Sequence, residues 1–90
     1  STRDYSIVCE DELEVGHIEE AMATAGGKLV ESIKLFDVYR GPQVGVGKKS
    51  VSMRVILRAP DRTLTVEEAD KVSAKIVKAL SDTFGISLRA

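Results

Sequence analysis

The order of hydrophobic patterns along the chain constrains the fold more than any single motif does. Four segments alternate, or are rich in Val, Ile, Leu and aromatic residues, as strands are: 4–9, 29–39, 50–58 and 86–89. Two others place apolar residues at helical spacing: 18–25 and 69–84. The sequence therefore predicts the order strand, helix, strand, strand, helix, strand.

Local signals place the ends of the two helices. Gly26 and Gly27 supply the backbone freedom of a helix C-terminus, and Thr65 with Glu68 forms a capping box for the second helix. Each helix has one apolar stripe, so both must cover the same face of the sheet. We expect an α+β, ferredoxin-like βαββαβ sandwich: a four-stranded antiparallel sheet in the order 4-1-3-2 with two helices on one face. The opposite face is then available for binding.

The second predicted strand does not alternate regularly. Ile33 and Leu35 share one side of an ideal strand, whereas Phe36 and Val38 share the other. A β-bulge near Leu35 and Phe36 reconciles the pattern by turning all four toward the core. The side chains left for the open side of the sheet are then Ser32, Lys34, Asp37 and Tyr39.

Composition limits the classes of protein that the chain can represent. Its 90 residues suit a single domain, 1–90, and nothing inside explains a free-standing role, so we expect a piece excised from a longer chain. The single cysteine, Cys9, fits a reducing compartment, and no apolar run is long enough to span a membrane, so we expect a cytoplasmic protein without a membrane partner. A net charge of −1 argues against coating nucleic acid by charge alone, but it allows a few directed contacts.

Motifs for catalysis or metal binding are weak. His17 is the only histidine and has no second histidine or cysteine pair to complete a metal site. The segment Gly47–Ser50 has only a superficial similarity to a phosphate loop, because Pro42 stands where the first glycine should be and a strand follows. A hairpin turn with solvated lysines explains it better. We expect no catalytic residue, metal or cofactor in this domain.

Polar and aromatic side chains at the ends of the second and third strands suit an unpaired nucleotide. The carboxylate of Asp37 can accept two hydrogens from a guanine edge, and the ring of Tyr39 can stack on the base. Ser50, Arg54 and Arg89 should project from neighbouring strands of the same face, where they can bind phosphate, ribose 2′-hydroxyl or base edges. The group is typical of RNA binding rather than of a reaction centre.

Several short motifs together resemble one family of RNA-binding domains. The chain is similar to the ferredoxin-fold anticodon-binding domain at the C-terminus of bacterial phenylalanyl-tRNA synthetase β subunits. The similarity runs from residue 3 to residue 89 and is carried by Arg3-Asp4, Ala25-Gly26-Gly27, Leu35–Gly41, Gly47–Ser50 and Pro60–Thr65.

The resemblance implies a role in tRNA recognition. Members of the family contact the anticodon loop of phenylalanine tRNA, whereas aminoacylation takes place in the α subunit of an α2β2 enzyme that uses ATP and Mg²⁺. By residue-to-residue match, Tyr39 corresponds to an aromatic residue that stacks on the first anticodon base. Asp37, Ser50 and Arg89 correspond to polar partners near that base, and Ser6 falls at a small position beneath it.

Two other classes remain open at the level of sequence. A regulatory amino-acid-binding domain of the ACT type shares the element order and would place its ligand near His17, but it leaves Asp37, Tyr39 and Ser50 unexplained. An acylphosphatase-like enzyme needs a phosphate-binding loop with arginine after the first strand. The corresponding segment here, 9–12, is acidic and would repel the substrate.

Overall fold

The computed structural model describes residues 1–88 of the chain. Its elements follow in this order: β1 (Thr2–Glu10), α1 (Val15–Gly26), a 3₁₀ turn (Gly27–Leu29), β2 (Val30–Tyr39), β3 (Lys48–Leu57) and α2 (Val66–Phe84). Each element predicted before residue 85 is therefore present, with ends a few residues from those expected.

The sheet is antiparallel, with β3 in the centre, β1 on one side and β2 on the other. This confirms the predicted order of these three strands. The prediction of a fourth strand at 86–89 is wrong for the part of the chain that the structure describes, because the sheet has three strands and residues 86–88 lie outside it. Arg89, which ends that predicted strand, lies outside the described residues.

The segment after α2 is held by the helix end rather than by the sheet. Gly85 ends α2 in the left-handed conformation, with φ 69° and ψ 22°, which glycine adopts without a steric cost. The amide of Ile86 donates to the carbonyl of Leu80 at 3.3 Å, and the Ile86 side chain is buried. The amide of Ile86 thus caps α2 and its side chain packs in the core. Residues 86–88 do not pair with a strand of the sheet.

Both helices cover one face of the sheet, as predicted. Alternate side chains of β3 are buried beneath them: Val51, Met53, Val55 and Leu57. The helices complete the same core cluster with Ile18, Met22, Ala69, Val72, Ile76 and Leu80. Because successive side chains of a strand point to opposite faces, the intervening residues of β3 face the side without helices.

The capping box at the start of α2 forms as predicted. Thr65 Oγ1 accepts a hydrogen bond from the amide of Glu68 at 3.1 Å, and the Glu68 carboxylate accepts one from the amide of Thr65 at 3.2 Å. This second bond is the main reason that the pKa of Glu68 lies below its usual value, and the adjacent Arg62 guanidinium lowers it further. The first turn of the helix is therefore stabilised by side chains within its own sequence.

β2 contains the bulge that its irregular pattern predicts. Leu35 pairs with Met53 and Asp37 pairs with Ser52, so Phe36 is an extra residue without a partner on β3. The bulge shifts the alternation of β2 by one residue. Asp37 thereby reaches the face that carries Ser52.

The predicted direction of Phe36 is wrong. Ile33, Leu35 and Val38 pair with core-facing residues of β3, as expected, but Phe36 points to the other face, where the guanidinium carbon of Arg54 lies 5.0 Å from its ring centroid. A bulge between two apolar residues can turn either one outward, and side-chain parity does not choose between them. Leu35 and Val38 remain 41% and 36% exposed, since the packed core reaches β2 at Ile33 and not beyond it.

Candidate nucleic-acid interface

The side of the sheet without helices is built in rows that cross the three strands. Because directly paired residues share a face, the register defines three neighbouring rows. From β1 through β3 to β2 they are Val8, Ser50 and Tyr39; Ser6, Ser52 and Asp37; and Asp4, Arg54 and Lys34. We call these rows, together with Phe36 between the second and the third, the open face.

Tyr39 and Asp37 both lie on the open face, as predicted. Tyr39 is opposite Ser50 and Asp37 is opposite Ser52. The tyrosine is 40% exposed, and Asp37 is exposed as well. An aromatic ring and a carboxylate are therefore available together to a ligand that approaches from the side without helices.

The loop between β2 and β3 orients the ring of Tyr39. The tyrosine hydroxyl donates a hydrogen bond to Oε1 of Gln43. The ring also lies so close to Gly41 that a Cβ at this position would come within 2.7 Å of the tyrosine Cζ. Gly41 is not one of the glycines with positive φ. Glycine is needed here for space rather than for backbone conformation.

Small hydroxyl side chains occupy the middle of the open face. The hydroxyl oxygens of Ser6 and Ser50 are 3.4 Å apart, which brings these two predicted residues together. Ser52 lies between Ser6 and Asp37 in the register. Serine is short and can both donate and accept hydrogen bonds. A flat ligand stacked on Tyr39 would thus meet hydroxyls and a carboxylate.

Arg54 lies on the open face as predicted, but it already has a partner there. Its Nε and Nη2 donate to the two carboxylate oxygens of Asp4 at 2.9 and 3.0 Å. These bonds lower the pKa of Asp4 and raise the pKa of Arg54. An ion pair as exposed as this one contributes little to stability. Its main consequence is to orient the guanidinium on the sheet.

Ser52, Asp4 and Phe36 belong to the open face but were not among the predicted site residues. Ser52 has the same parity as Ser50, so alternation along β3 is a signal that could have found it. The role of Asp4 depends on the register between β1 and β3, which a single sequence does not reveal. The placement of Phe36 depends on which of the two apolar residues the bulge turns outward. Arg89 lies beyond the residues that the structure describes, and its role stays a prediction.

Ion pairs tie the β2–β3 loop to the end of β1. Arg40 contacts Asp11, and Lys48 binds Glu10 at 2.7 Å. The expectation of solvated lysines is wrong for Lys49, which is 6% exposed and donates from Nζ to the backbone carbonyl of Asp11 at 2.9 Å. Contacts at both ends of the loop that orients Tyr39 therefore hold it against the end of β1 and the residue that follows it.

Within the part of the chain that the structure describes, the other reactive side chains do not form a second site. Among residues 1–88 there is no group of three His, Cys, Asp or Glu residues arranged to hold a metal ion. Cys9 is buried, and burial raises the pKa of its thiol, which keeps it in the poorly nucleophilic protonated form. His17 is exposed on α1. In the same described part of the chain, each helix is too short or too polar to span a membrane.

Fold and site together define a class of protein. A compact α+β module whose helix-free sheet face carries an exposed tyrosine, a carboxylate and hydroxyls has the features of a module that binds single-stranded RNA. Comparison with known families agrees. The chain belongs to the ferredoxin-fold anticodon binding domain family, whose model matches residues 1–89. This confirms the family inferred from the short motifs. The matched family is neither the ACT type nor the acylphosphatase-like class.

The individual relatives that the chain matches are β subunits of phenylalanine–tRNA ligases. The chain is 46% identical over 97% of its length to the phenylalanine–tRNA ligase β subunit of Clostridium tetani, and 42% identical over 99% to that of Thermobifida fusca. It is 41% identical over 98% of its length to the β subunit of Bacillus subtilis. Each match covers 11% of the relative. The chain thus spans about a tenth of the length of these proteins.

Proposed function

We propose that this chain binds the anticodon loop of phenylalanine tRNA through the open face. In this proposal it is the non-catalytic, anticodon-recognising domain of a phenylalanine–tRNA ligase β subunit. The one observation that carries the proposal is the joint outward placement of Tyr39 and Asp37, opposite Ser50 and Ser52, on a sheet face that neither helix covers. Family membership supports the same reading.

The aromatic, carboxylate and hydroxyl groups of the open face have different parts in this binding. The ring of Tyr39 stacks on the first anticodon base, an interaction typically worth about 1–3 kcal/mol. Asp37 accepts hydrogens from the Watson–Crick edge of a guanine, which carries two neighbouring donors, and so favours guanine at this position. Ser6, Ser50 and Ser52 hydrogen-bond the base edge or the ribose 2′-hydroxyl. Arg89 is proposed as a further polar partner by family resemblance.

The charges of the open face suit directed recognition. Lys34 and Arg54 are balanced by Asp4 and Asp37, so this surface has little excess positive charge. Affinity that comes from neutralising phosphates falls steeply with salt. Here stacking and hydrogen bonding carry most of the binding, and the salt dependence should be shallow.

The remaining functions belong to parts of the enzyme outside this chain. The relatives are named as β subunits of a ligase, and we propose that the intact protein joins an α subunit in an α2β2 assembly. Aminoacylation, with ATP and Mg²⁺, would take place in the α subunit. A cytoplasmic location follows from that role. In this arrangement the present domain supplies tRNA selection and no reacting group.

The test is a titration of the 90-residue chain with two anticodon stem-loops. One carries GAA, and the other has its first anticodon base changed to adenine. We expect the GAA loop to bind more tightly by about 1–3 kcal/mol, the usual size of bidentate base discrimination. Asp37→Asn should remove this preference, because an amide presents a donor to a guanine edge that is itself a donor. Glu67→Gln, an exposed carboxylate on α2, is the matched control.

Equal affinity of the wild-type chain for the two loops would contradict anticodon reading. Stabilisation of the chain by free phenylalanine, with no binding of either loop, would instead favour a regulatory amino-acid-binding site. These two outcomes are separated by one thermal-shift series run alongside the titration.

A further inference from the structure

The open face carries a second aromatic surface at Phe36. The bulge turns this side chain away from the helices, and 53% of it is exposed. Burial, rather than exposure, is what makes an aromatic side chain stabilising. Phe36 is therefore a large apolar side chain on a polar face, and its position there adds little to the stability of the core.

A guanidinium is held beside the Phe36 ring. The Arg54 guanidinium carbon is 5.0 Å from the ring centroid, within the range of a cation–π contact. Asp4 keeps it there through Nε and Nη2. The N–H groups of Nη1 take no part in that pair and can donate to a phosphate oxygen. A guanidinium that is already oriented loses less freedom when it binds.

Phe36 and Tyr39 stand on either side of Asp37 along one strand. Three residue steps in a strand separate Cα atoms by about 10 Å. Both rings lie on the open face, because the bulge brings Phe36 to the side that Tyr39 already occupies. The strand therefore presents two aromatic surfaces in line, with the carboxylate between them.

We propose that Phe36 and Arg54 form a second nucleotide-binding surface. A loop base next to the one on Tyr39 stacks against Phe36, and Arg54 contacts the phosphate that joins the two nucleotides. This inference rests on the proposed function, since it adds a second contact with the same RNA. Stacking tolerates any base, so this surface contributes affinity, whereas Asp37 and Tyr39 contribute the choice of base.

The experiment uses the 90-residue chain and GAA stem-loops with the fluorescent base 2-aminopurine at each loop position outside the first anticodon base in turn. Stacking on a protein ring changes its emission, so one such position should respond when wild-type chain is added. Phe36→Leu keeps an apolar side chain but removes the ring. It should abolish that response and weaken binding at least about fivefold. The preference for guanine at the first position should persist.

Two matched variants keep the test independent of folding. Phe36→Tyr retains a ring and should bind like the wild type. Leu35→Ala removes a neighbouring exposed side chain that faces the helix side of β2, and it should leave both affinity and emission unchanged. Thermal melting of each variant checks that the fold is retained.

The outcomes separate this inference from the proposed function. Wild-type affinity and emission for Phe36→Leu, with weakened binding for Tyr39→Ala, would overturn the second surface and leave anticodon binding intact. Loss of binding for Leu35→Ala as large as that for Phe36→Leu would also overturn it, because the effect would then come from the strand rather than from the ring. No binding of any loop by the wild-type chain would overturn both proposals.

Discussion

The ring of Tyr39 occupies the space that a side chain at Gly41 would need: a Cβ built on Gly41 would lie 2.7 Å from the tyrosine Cζ. The ring can take this direction only because Gly41 has no side chain in its way. Gln43 adds a hydrogen bond to the phenol. The aromatic surface offered to a base therefore depends on two loop residues as well as on the strand that carries the tyrosine.

Gly41→Ala should displace the ring of Tyr39 and weaken binding of the GAA stem-loop. The backbone at Gly41 is not in the left-handed region, and the ring is at the end of an exposed side chain. We therefore expect the free energy of unfolding to change by less than about 0.5 kcal/mol. Titration and urea unfolding measure the two effects. In the control Gly16→Ala, the added Cβ meets nothing within 4 Å, and affinity should not change.

Replacing Tyr39 separates stacking from hydrogen bonding. Tyr39→Ala should cost about 1–3 kcal/mol of binding to the GAA stem-loop, because the stacking ring is lost. Tyr39→Phe keeps the ring and loses only the bond to Gln43, so its effect should be smaller. Val38→Ala on the opposite side of β2 is the control. Equal losses for the alanine and phenylalanine variants would show that the hydroxyl, rather than the ring, makes the important contact.

Thr65→Ala should destabilise the domain by about 1 kcal/mol, within a usual range of about 0.5–2 kcal/mol for a lost N-cap. The variant removes the acceptor for the Glu68 amide at the first turn of α2. Urea denaturation measures the change. Thr63→Ala, at an exposed position just before the cap, should be nearly neutral. A similar loss for both variants would mean that the capping box is not responsible.

Acid should weaken the fold mainly through Glu68, because the exposed ion pair of Asp4 contributes little to stability. Both carboxylates have a lowered pKa, from ordinary values of 3.8 for Asp4 and 4.5 for Glu68. The unfolded chain therefore takes up these protons first as the pH falls, so the stability from these contacts is complete above about pH 5 and is lost as the pH drops through the folded-state values. Glu68→Gln should reduce the pH dependence of urea unfolding between about pH 5 and pH 3. A Glu68→Gln variant that keeps the full wild-type pH dependence would contradict this assignment.

Local sequence predicted the elements whose causes are themselves local. The capping box at Thr65, the glycine at 85 and the apolar stripe of α2 each depend on residues within a few positions of one another, and the structure has all three. Alternation along β3 likewise identified its buried side. The irregularity of β2 was also visible, because an extra residue breaks a period of two wherever it occurs.

The failed predictions involve choices between distant groups. Whether Leu35 or Phe36 turns outward depends on what lies on each side of the sheet, and the Arg54 guanidinium on the open face comes from another strand. A fourth strand would need the amide of Ile86 to hydrogen-bond to a neighbouring strand. Here that amide donates instead to the carbonyl of Leu80 at the end of α2. Burial of Lys49 depends on a carbonyl that follows β1.

The sequence by itself determined the order of the five elements from β1 to α2, the face that the helices cover, and the presence of Tyr39 and Asp37 on the other face. These follow from short-range periodicity, which each segment carries in its own residues. Only the tertiary structure decided that Phe36 joins them, that Asp4 orients Arg54, and that Gly41 makes room for the tyrosine ring. Those relationships are contacts across strands and loops, and their energies exist only once the register has brought the partners together.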